Sequence, residues 1–261
     1  MNIGLSSYSY RWSILFGKMG IIEFLEKSLD LGVSVVQICE NLDFDKLCSI
    51  ERKTIESEYN SKIKIETGFR GHNPVKLKNA LIATSELGGT LMRLVLEEED
   101  EENLEIDTLL EELNQVLPIA KDLDIEIALE NHFLLTPNQL KNICETIASD
   151  KLSVCFDCFN SIVNNIGTYD ALEQIIKFVS RIHVKDIEFK REGTGFLIQG
   201  CPMGSGVLDI DKLLNILSKY EKKPDFLLEG WLDRVSSDEA TIENENKVNE
   251  IGINYLRRVL S

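Results

Sequence analysis

The stretch IEIALENH, residues 125–132, is an apolar run that finishes on a carboxylate, an amide and an imidazole. Its first part has the alternating and then continuous apolar pattern that is typical of a strand buried in a parallel sheet. Burying an unpaired charge costs several kcal/mol, so Glu130 at the end of this strand needs solvent, a partner or a cation. Which of these applies depends on how the other strands of the chain end.

Seven further apolar runs, rich in Val, Ile and Leu, are separated by longer amphipathic stretches. The runs span residues 2–7, 33–39, 62–69, 90–96, 152–157, 181–186 and 225–230. Helix starts are marked by Asn73-Pro74, Thr136-Pro137, Asp209 and either Ser236 or Ser237. Eight strands alternating with eight helices predict an α/β fold, a (β/α)8 TIM barrel that forms a single domain over residues 1–261. A doubly wound open sheet is the alternative, but its usual Gly-rich first turn is replaced by SSYSYRWS at 6–13.

The chain is acidic, with 28 Lys and Arg against 44 Asp and Glu and a net charge of −16. Nucleic acids and anionic membranes require a basic face, so neither is expected as a partner. No apolar run approaches the roughly 18 residues of a membrane span, and the N-terminal MNIGLSSYSY does not have the pattern of a signal peptide. The six cysteines show no paired framework, which favours a cytoplasmic protein with free thiols. Cys155 and Cys158 are predicted to be core residues and not a redox pair.

Polar residues stand at the ends of four consecutive predicted strands, where barrels of this type carry their active sites. Glu130, Asp157 and Glu229 end strands five, six and eight, and His183 lies in strand seven. Taken singly, each would more often be a cap, a salt-bridge partner or a core histidine. At adjacent strand ends the three carboxylates would lie near one another, and their charges would repel unless a cation lies between them. We therefore predict one divalent metal ion, Mn²⁺, Co²⁺, Mg²⁺ or Zn²⁺, bound by these four residues.

Further residues near the strand ends are candidates for binding a substrate. They are His132, Lys185, His72 and Trp231. Three of them lie two residues after a predicted ligand, so strand alternation directs them to the same end of the barrel. Arg93 lies inside strand four, where its charge needs a partner that one of the site carboxylates could supply. The acidic run 97–102 is predicted to be a solvated loop, and the Gly-rich segment 193–206 a flexible flap.

Five segments of the chain resemble the xylose isomerase-like TIM barrels. They are ALENH (128–132), VCFDCFN (154–160), RIHVKD (181–186), PMGSGVLDI (202–210) and LLEGW (227–231). This family includes inosose dehydratases, hydroxypyruvate isomerases and keto-sugar 3-epimerases. The resemblance implies that Glu130, Asp157, His183 and Glu229 bind the metal and that the substrate is a small carbohydrate. Similar barrels are often dimers or tetramers, so the resemblance makes a homo-oligomer an expectation as well.

A metal site of this kind suits carbonyl chemistry on a sugar. A bound ion would polarise a carbonyl, and Glu130 and Glu229 could then remove and return the proton on the neighbouring carbon. Two carboxylates acting on opposite faces of the enediolate give an epimerase, and one acting alone gives an isomerase. Loss of a hydroxyl would instead make the enzyme an inosose-type dehydratase. Two other hypotheses are a nuclease similar to endonuclease IV and a barrel that binds a metabolite without turnover.

Overall fold

The computed structural model describes residues 1–98 and 100–261. Eight parallel strands close into a barrel, in the spatial order β1-β10-β7-β6-β5-β4-β3-β2. Their bounds are β1 Ile3–Ser6, β2 Val35–Ile38, β3 Lys64–Arg70, β4 Leu91–Val95, β5 Glu126–Glu130, β6 Leu152–Asp157, β7 Val179–Val184 and β10 Asp225–Leu228. The predicted single-domain (β/α)8 TIM barrel is confirmed, with each of the eight apolar runs supplying one barrel strand.

Nine α-helices surround the barrel strands within the described residues. They are α1 Arg11–Leu15, α2 Ile21–Asp30, α3 Ser49–Tyr59, α4 Pro74–Glu86, α5 Ile106–Asp122, α6 Pro137–Ile147, α7 Thr168–Ile175, α8 Ile210–Lys219 and α9 Asp238–Val259. The predicted caps are present: the side chains of Asn73, Thr136, Asp209 and Ser237 each accept a hydrogen bond from a backbone N–H of the first turn. None of the helices described here is long and apolar enough to cross a membrane.

The side chains that point into the barrel form layers along its axis, because alternate residues of each strand face inward. At the amino-terminal end, Arg181 donates to Glu66 across the interior. Leu91, Ala128 and Cys155, on the neighbouring strands β4, β5 and β6, form a small apolar cluster of their own. The next inward positions along β5 and β6 are Glu130 and Asp157. The candidate ligands thus occupy the layer at the carboxyl end, above a closed interior.

The segment after β7, of which residues 193–206 are predicted to be a flexible flap, begins with two paired strands. β8 Asp186–Glu192 and β9 Gly195–Cys201 pair as an antiparallel hairpin. Gly193 adopts φ +56° in the two-residue turn, where a left-handed conformation favours glycine. The backbone N–H of Gly200 donates to the carbonyl of Trp231 at 3.0 Å, so the hairpin is attached to the loop after β10. The glycines of this segment permit a tight turn and a close backbone contact.

Candidate functional site

The four predicted ligands meet at the carboxyl end of the barrel. One ligand atom from each of Glu130, Asp157, His183 and Glu229 lies within 4.8 Å of the others, and all four residues are buried. Asp157 and His183 are direct partners in the register of β6 and β7, which places their side chains side by side. Glu130 is the last residue of β5, and Glu229 directly follows β10. The parallel order of these strands brings together residues that are far apart in the sequence.

The imidazole of His183 is oriented from behind by Gln37 on β2. His183 Nε2 lies 2.8 Å from Gln37 Oε1, a carbonyl oxygen that can only accept, so Nε2 carries the proton. The lone pair of Nδ1 therefore points to Glu229 Oε2 at 3.2 Å and Glu130 Oε2 at 3.6 Å. Burial lowers the pKa of His183, reinforced by Arg93 and only partly opposed by nearby carboxylates. The lone pair of a neutral nitrogen repels the carboxylate oxygens that it faces, unless a cation lies between the nitrogen and the oxygens.

Within the described part of the chain, one carboxylate oxygen of Asp157 is buried without a hydrogen-bond partner, as is Nδ1 of His183. Its Oδ1 accepts from the backbone N–H groups of Phe159 and Asn160, each at 2.9 Å. Neither Asp157 Oδ2 nor His183 Nδ1 has a hydrogen-bond partner among the described residues. The ammonium of Lys185 lies 2.7 Å from Asp157 Oδ2, so this oxygen has a charge partner without hydrogen-bond geometry. Two orphaned acceptors in one buried cluster fit the ligand set of a divalent cation.

The two glutamates of the cluster have opposite electrostatic environments. Burial raises the pKa of Glu130 to about 8, and the charges of Glu229 and Asp157 act in the same direction against Arg93. For Glu229, the effect of burial is outweighed by the charges of Lys185 and Arg93 and by the hydrogen bond from Ser6, so its pKa is lowered. Burial is the largest cause of the raised pKa of Glu130, and the two neighbouring carboxylates add to it.

Polar neighbours fix the positions of both glutamates. Asn160 Nδ2 donates to Glu130 Oε1 at 2.9 Å, and Ser6 Oγ donates to Glu229 Oε2 at 3.0 Å. Arg93 Nε lies 3.3 Å from Glu130 Oε2, which confirms the prediction that a site carboxylate neutralises this buried arginine. The carboxylates are therefore held in place before any ligand binds, which is a requirement for precise proton transfer.

A cavity of about 140 Å³ opens above Glu130 and Glu229. Its other lining residues are Tyr8, Arg11, Glu40, Arg70, Arg93, Val95, His132, Gly230 and Trp231. The predicted substrate-binding residues His132 and Trp231 therefore lie at the cavity, and the Lys185 ammonium lies 4.0 Å from the centroid of the Trp231 ring. His72 is not brought to the cavity. Its Nδ1 contacts Glu112, and its Nε2 lies 3.4 Å from Glu101.

Glu97 is a site residue that the sequence analysis did not identify. It belongs to the acidic run predicted to be solvated, but its side chain is buried and contacts His132 Nδ1. The backbone N–H of Leu134 donates to the same carboxylate at 3.2 Å. The prediction is therefore wrong for Glu97. It lies two residues after Val95, the last residue of β4, so alternation along the strand directs it to the barrel mouth, as it does Val95. Glu99 of this run lies outside the described residues.

The sequence profile described as xylose isomerase-like TIM barrel matches residues 74–259, which is most of the chain. The chain belongs to the xylose isomerase-like TIM barrel family. A 3-oxo-isoapionate decarboxylase of Pectobacterium atrosepticum is 28% identical over 262 residues, covering 98% of this chain and 95% of that protein. An inosose dehydratase of Histophilus somni is 25% identical over 168 residues, covering 58% of this chain and 54% of that protein.

Solved structures of other proteins have the same fold. A D-psicose 3-epimerase crystallised with D-fructose has a TM-score of 0.77 at 14% identity, with 100% of this chain and 99% of that chain covered. The IOLI protein, crystallised with a zinc atom, has a TM-score of 0.68 at 18% identity, with 98% and 99% covered. At these identities the similarity establishes the barrel and its topology for this family member.

Proposed function

We propose that this barrel is a divalent-metal-dependent isomerase or epimerase that acts on a keto-sugar or related polyol through an enediolate. The observation that carries the proposal is the arrangement of Glu130 and Glu229. Both carboxylates reach one small cavity, and both lie beside the orphaned Nδ1 of His183. The zinc atom of the IOLI protein and the sugar in the epimerase structure support the same combination of metal and carbohydrate.

Glu130, Asp157, His183 and Glu229 would hold the ion in this proposal. Bound there, a divalent cation would polarise a sugar carbonyl and orient the neighbouring hydroxyl. One glutamate removes the proton from the carbon next to the carbonyl, and the electron pair moves into the enediolate. The other glutamate returns a proton from the opposite face in an epimerase, whereas one glutamate serves both steps in an isomerase. The Lys185 ammonium, 3.4 Å from Glu229 Oε1, compensates part of the negative charge.

Decarboxylation is a second candidate for the same site, favoured by the decarboxylase that matches this chain over nearly its full length. In a 3-oxo acid, the bond between the carboxylate and the neighbouring carbon breaks and carbon dioxide leaves. The electron pair stays in an enolate, and a protonated glutamate then supplies the proton to carbon. The inosose dehydratase match supports a further variant in which a hydroxyl leaves from the enediolate. All three reactions need a stabilised enolate and a mobile proton.

The proposal includes a cytoplasmic enzyme whose partner is a small carbohydrate and not a nucleic acid or a membrane. The net charge of −16 supports the absence of a nucleic-acid partner. The cysteines are free, and four of the six are buried, in keeping with a reducing compartment. A homo-oligomer is part of the same proposal.

Metal analysis tests the ligand set. Wild type, D157A and E126Q are purified without a tag and analysed by plasma mass spectrometry after incubation with each ion. Glu126 is the matched control because it lies on the same strand as Glu130 but at the opposite end of the barrel. We expect about one ion per chain in wild type and E126Q and none in D157A. Two or three zinc ions would instead indicate chemistry of the endonuclease IV type.

Proton exchange tests the reaction. Ketoses and inososes are incubated with the metal-loaded protein in D₂O, and deuterium next to the carbonyl is followed by NMR. We expect exchange in wild type and E126Q and its loss in E130Q and E229Q. Exchange that persists in both of the last two variants would refute the proposed proton transfer. Ligand binding with no exchange, no dehydration and no release of carbon dioxide would identify a binding barrel.

A further inference from the structure

The cavity contains arginines that the proposed proton transfer does not use. Arg93 is engaged, since it lies 3.3 Å from an oxygen of Glu40 and 3.3 Å from one of Glu130. Arg11 and Arg70 also line the cavity, Arg11 from the first residue of α1 and Arg70 from the last residue of β3. An arginine at the mouth of a sugar site calls for an anion that it can bind.

Arg70 has donor groups left over. Its Nε is 3.7 Å from Glu40 and its Nη1 is 4.0 Å from Glu97, distances beyond a hydrogen bond. Its one hydrogen-bond contact among the described residues is from Nη2 to His132 Nε2, at 3.4 Å. A guanidinium carries five N–H donors, so most of those on Arg70 remain available. Its side chain is 30% exposed, which leaves it accessible from the cavity.

The net charge around the cavity also favours an anionic ligand. Five carboxylates and four cationic side chains surround the cluster and the cavity. They are Glu40, Glu97, Glu130, Asp157 and Glu229, with Arg11, Arg70, Arg93 and Lys185. Metal binding requires ionised carboxylates, so with Glu130 deprotonated a divalent ion would turn the excess of one negative charge into an excess of one positive charge. An anionic substrate would then neutralise a site that a neutral ketose would leave charged.

We propose that Arg70 binds the carboxylate of the substrate, assisted by Arg11, and that the substrate is therefore a keto-sugar acid. This inference rests on the proposed function and names its substrate class. A planar guanidinium matches a carboxylate with two parallel hydrogen bonds, which a neutral hydroxyl cannot accept in the same way.

Calorimetric titration of the Mn²⁺-loaded protein tests the subsite. The anionic probes are 2-keto-D-gluconate and 5-keto-D-gluconate, the neutral probes are D-fructose and L-sorbose, and D-fructose 6-phosphate is the phosphate probe. We expect R70Q to weaken binding of the acids by about 10- to 100-fold and to leave the neutral ketoses unchanged. R70K should weaken acid binding less than R70Q does, because lysine keeps the positive charge but cannot form the two parallel hydrogen bonds of a guanidinium. R191Q is the matched control, since Arg191 is an exposed arginine on the distant end of β8.

Several outcomes would overturn the subsite. The first is that R70Q binds the acids and the neutral ketoses more weakly by the same factor. The second is that the wild type binds no acid more tightly than its matched ketose. The third is that the wild type binds the phosphate probe more tightly than the acids. Thermal melting of R70Q and R70K excludes misfolding as the cause of any loss. Failure of the subsite is separate from failure of the proposed function, because retained exchange in E130Q and E229Q refutes the latter whatever R70Q does.

Discussion

Replacing Gln37 by Leu should weaken metal binding at His183, although Gln37 itself is not a predicted ligand. Gln37 is fully buried on β2, and its side-chain oxygen accepts the Nε2 proton of His183 at 2.8 Å. Removing this acceptor leaves a buried N–H without a partner, which costs about 1–3 kcal/mol. It also removes the contact that keeps the His183 proton on Nε2 and directs the Nδ1 lone pair to the four-residue cluster. Loss of such an outer partner typically costs about 10- to 100-fold in metal affinity, or roughly 1.4–2.7 kcal/mol.

The assay is a titration of Zn²⁺ or Mn²⁺ against a competing chelator of known affinity. Q37E is the informative companion because it keeps the acceptor oxygens and the shape, so it should bind metal at least as tightly as wild type. Gln199 lies on the β8–β9 hairpin, and Q199L controls for the loss of a glutamine elsewhere. NMR of ¹⁵N-labelled His183 should show the proton on Nε2 in wild type. A Q37L variant that melts like wild type and binds metal within twofold of it would refute the tautomer argument.

Other predictions concern stability, pH and the cavity wall. Glu66→Gln removes the main charge partner of the buried Arg181 and leaves it with the weaker attraction of Asp225 and Glu126. The change should cost about 3–5 kcal/mol, or roughly 5–9 °C in Tm for a chain of this length, without changing metal content. Replacing both Glu66 and Arg181 by apolar residues should recover most of the loss. Burial lowers the pKa of His72, but two neighbouring carboxylates raise it overall. Its ion pairing should therefore stabilise the fold below pH 6.5 and lose this effect as pH rises through the raised pKa, and H72Q should abolish that dependence in denaturant titrations. Gly200→Ala places a Cβ about 2.1 Å from the Trp231 carbonyl oxygen, so it should displace the cavity wall at Trp231. Steady-state kinetics should then show a higher KM, while metal analysis should show an occupancy close to that of wild type.

The sequence was sufficient for the barrel because each βα unit carries its own local signals. Apolar runs of four to seven residues, Pro at the first helical position and Ser, Thr, Asn or Asp caps act within one unit and need no distant partner. The hairpin after β7 is the exception in this chain. Its residues 186–201 mix polar, apolar and glycine residues, and tertiary contacts give them order. The two strands pair with each other, Gly200 contacts Trp231, and the Asp186 carboxylate accepts hydrogen bonds from the backbone of the loop that follows.

The candidate ligands were predictable because strand position and residue type are both visible in the sequence. Glu130, Asp157, His183 and Glu229 end or nearly end strands that parallel pairing must bring side by side. Their neighbours could be found only in part. Arg93 was conspicuous as a charge inside an apolar strand, and the polar residue within VSVVQIC, which is Gln37, carried a similar signal.

Glu97 and Arg70 show where such inference ends. Both lie just at or beyond a strand end among polar residues, and in the sequence they resemble any solvated loop. Closing the barrel removes Glu97 from water beside His132 and leaves Arg70 at the cavity with donors to spare. The sequence by itself thus determined the strand order and the convergence of the four candidate ligands, since both follow from periodicity and chain direction. Which charges are buried, paired or left free depends on distances between side chains that are far apart in the sequence, and only the tertiary structure decides them. Gln37 and His183 are 146 positions apart, and Ser6 and Glu229 are 223 apart.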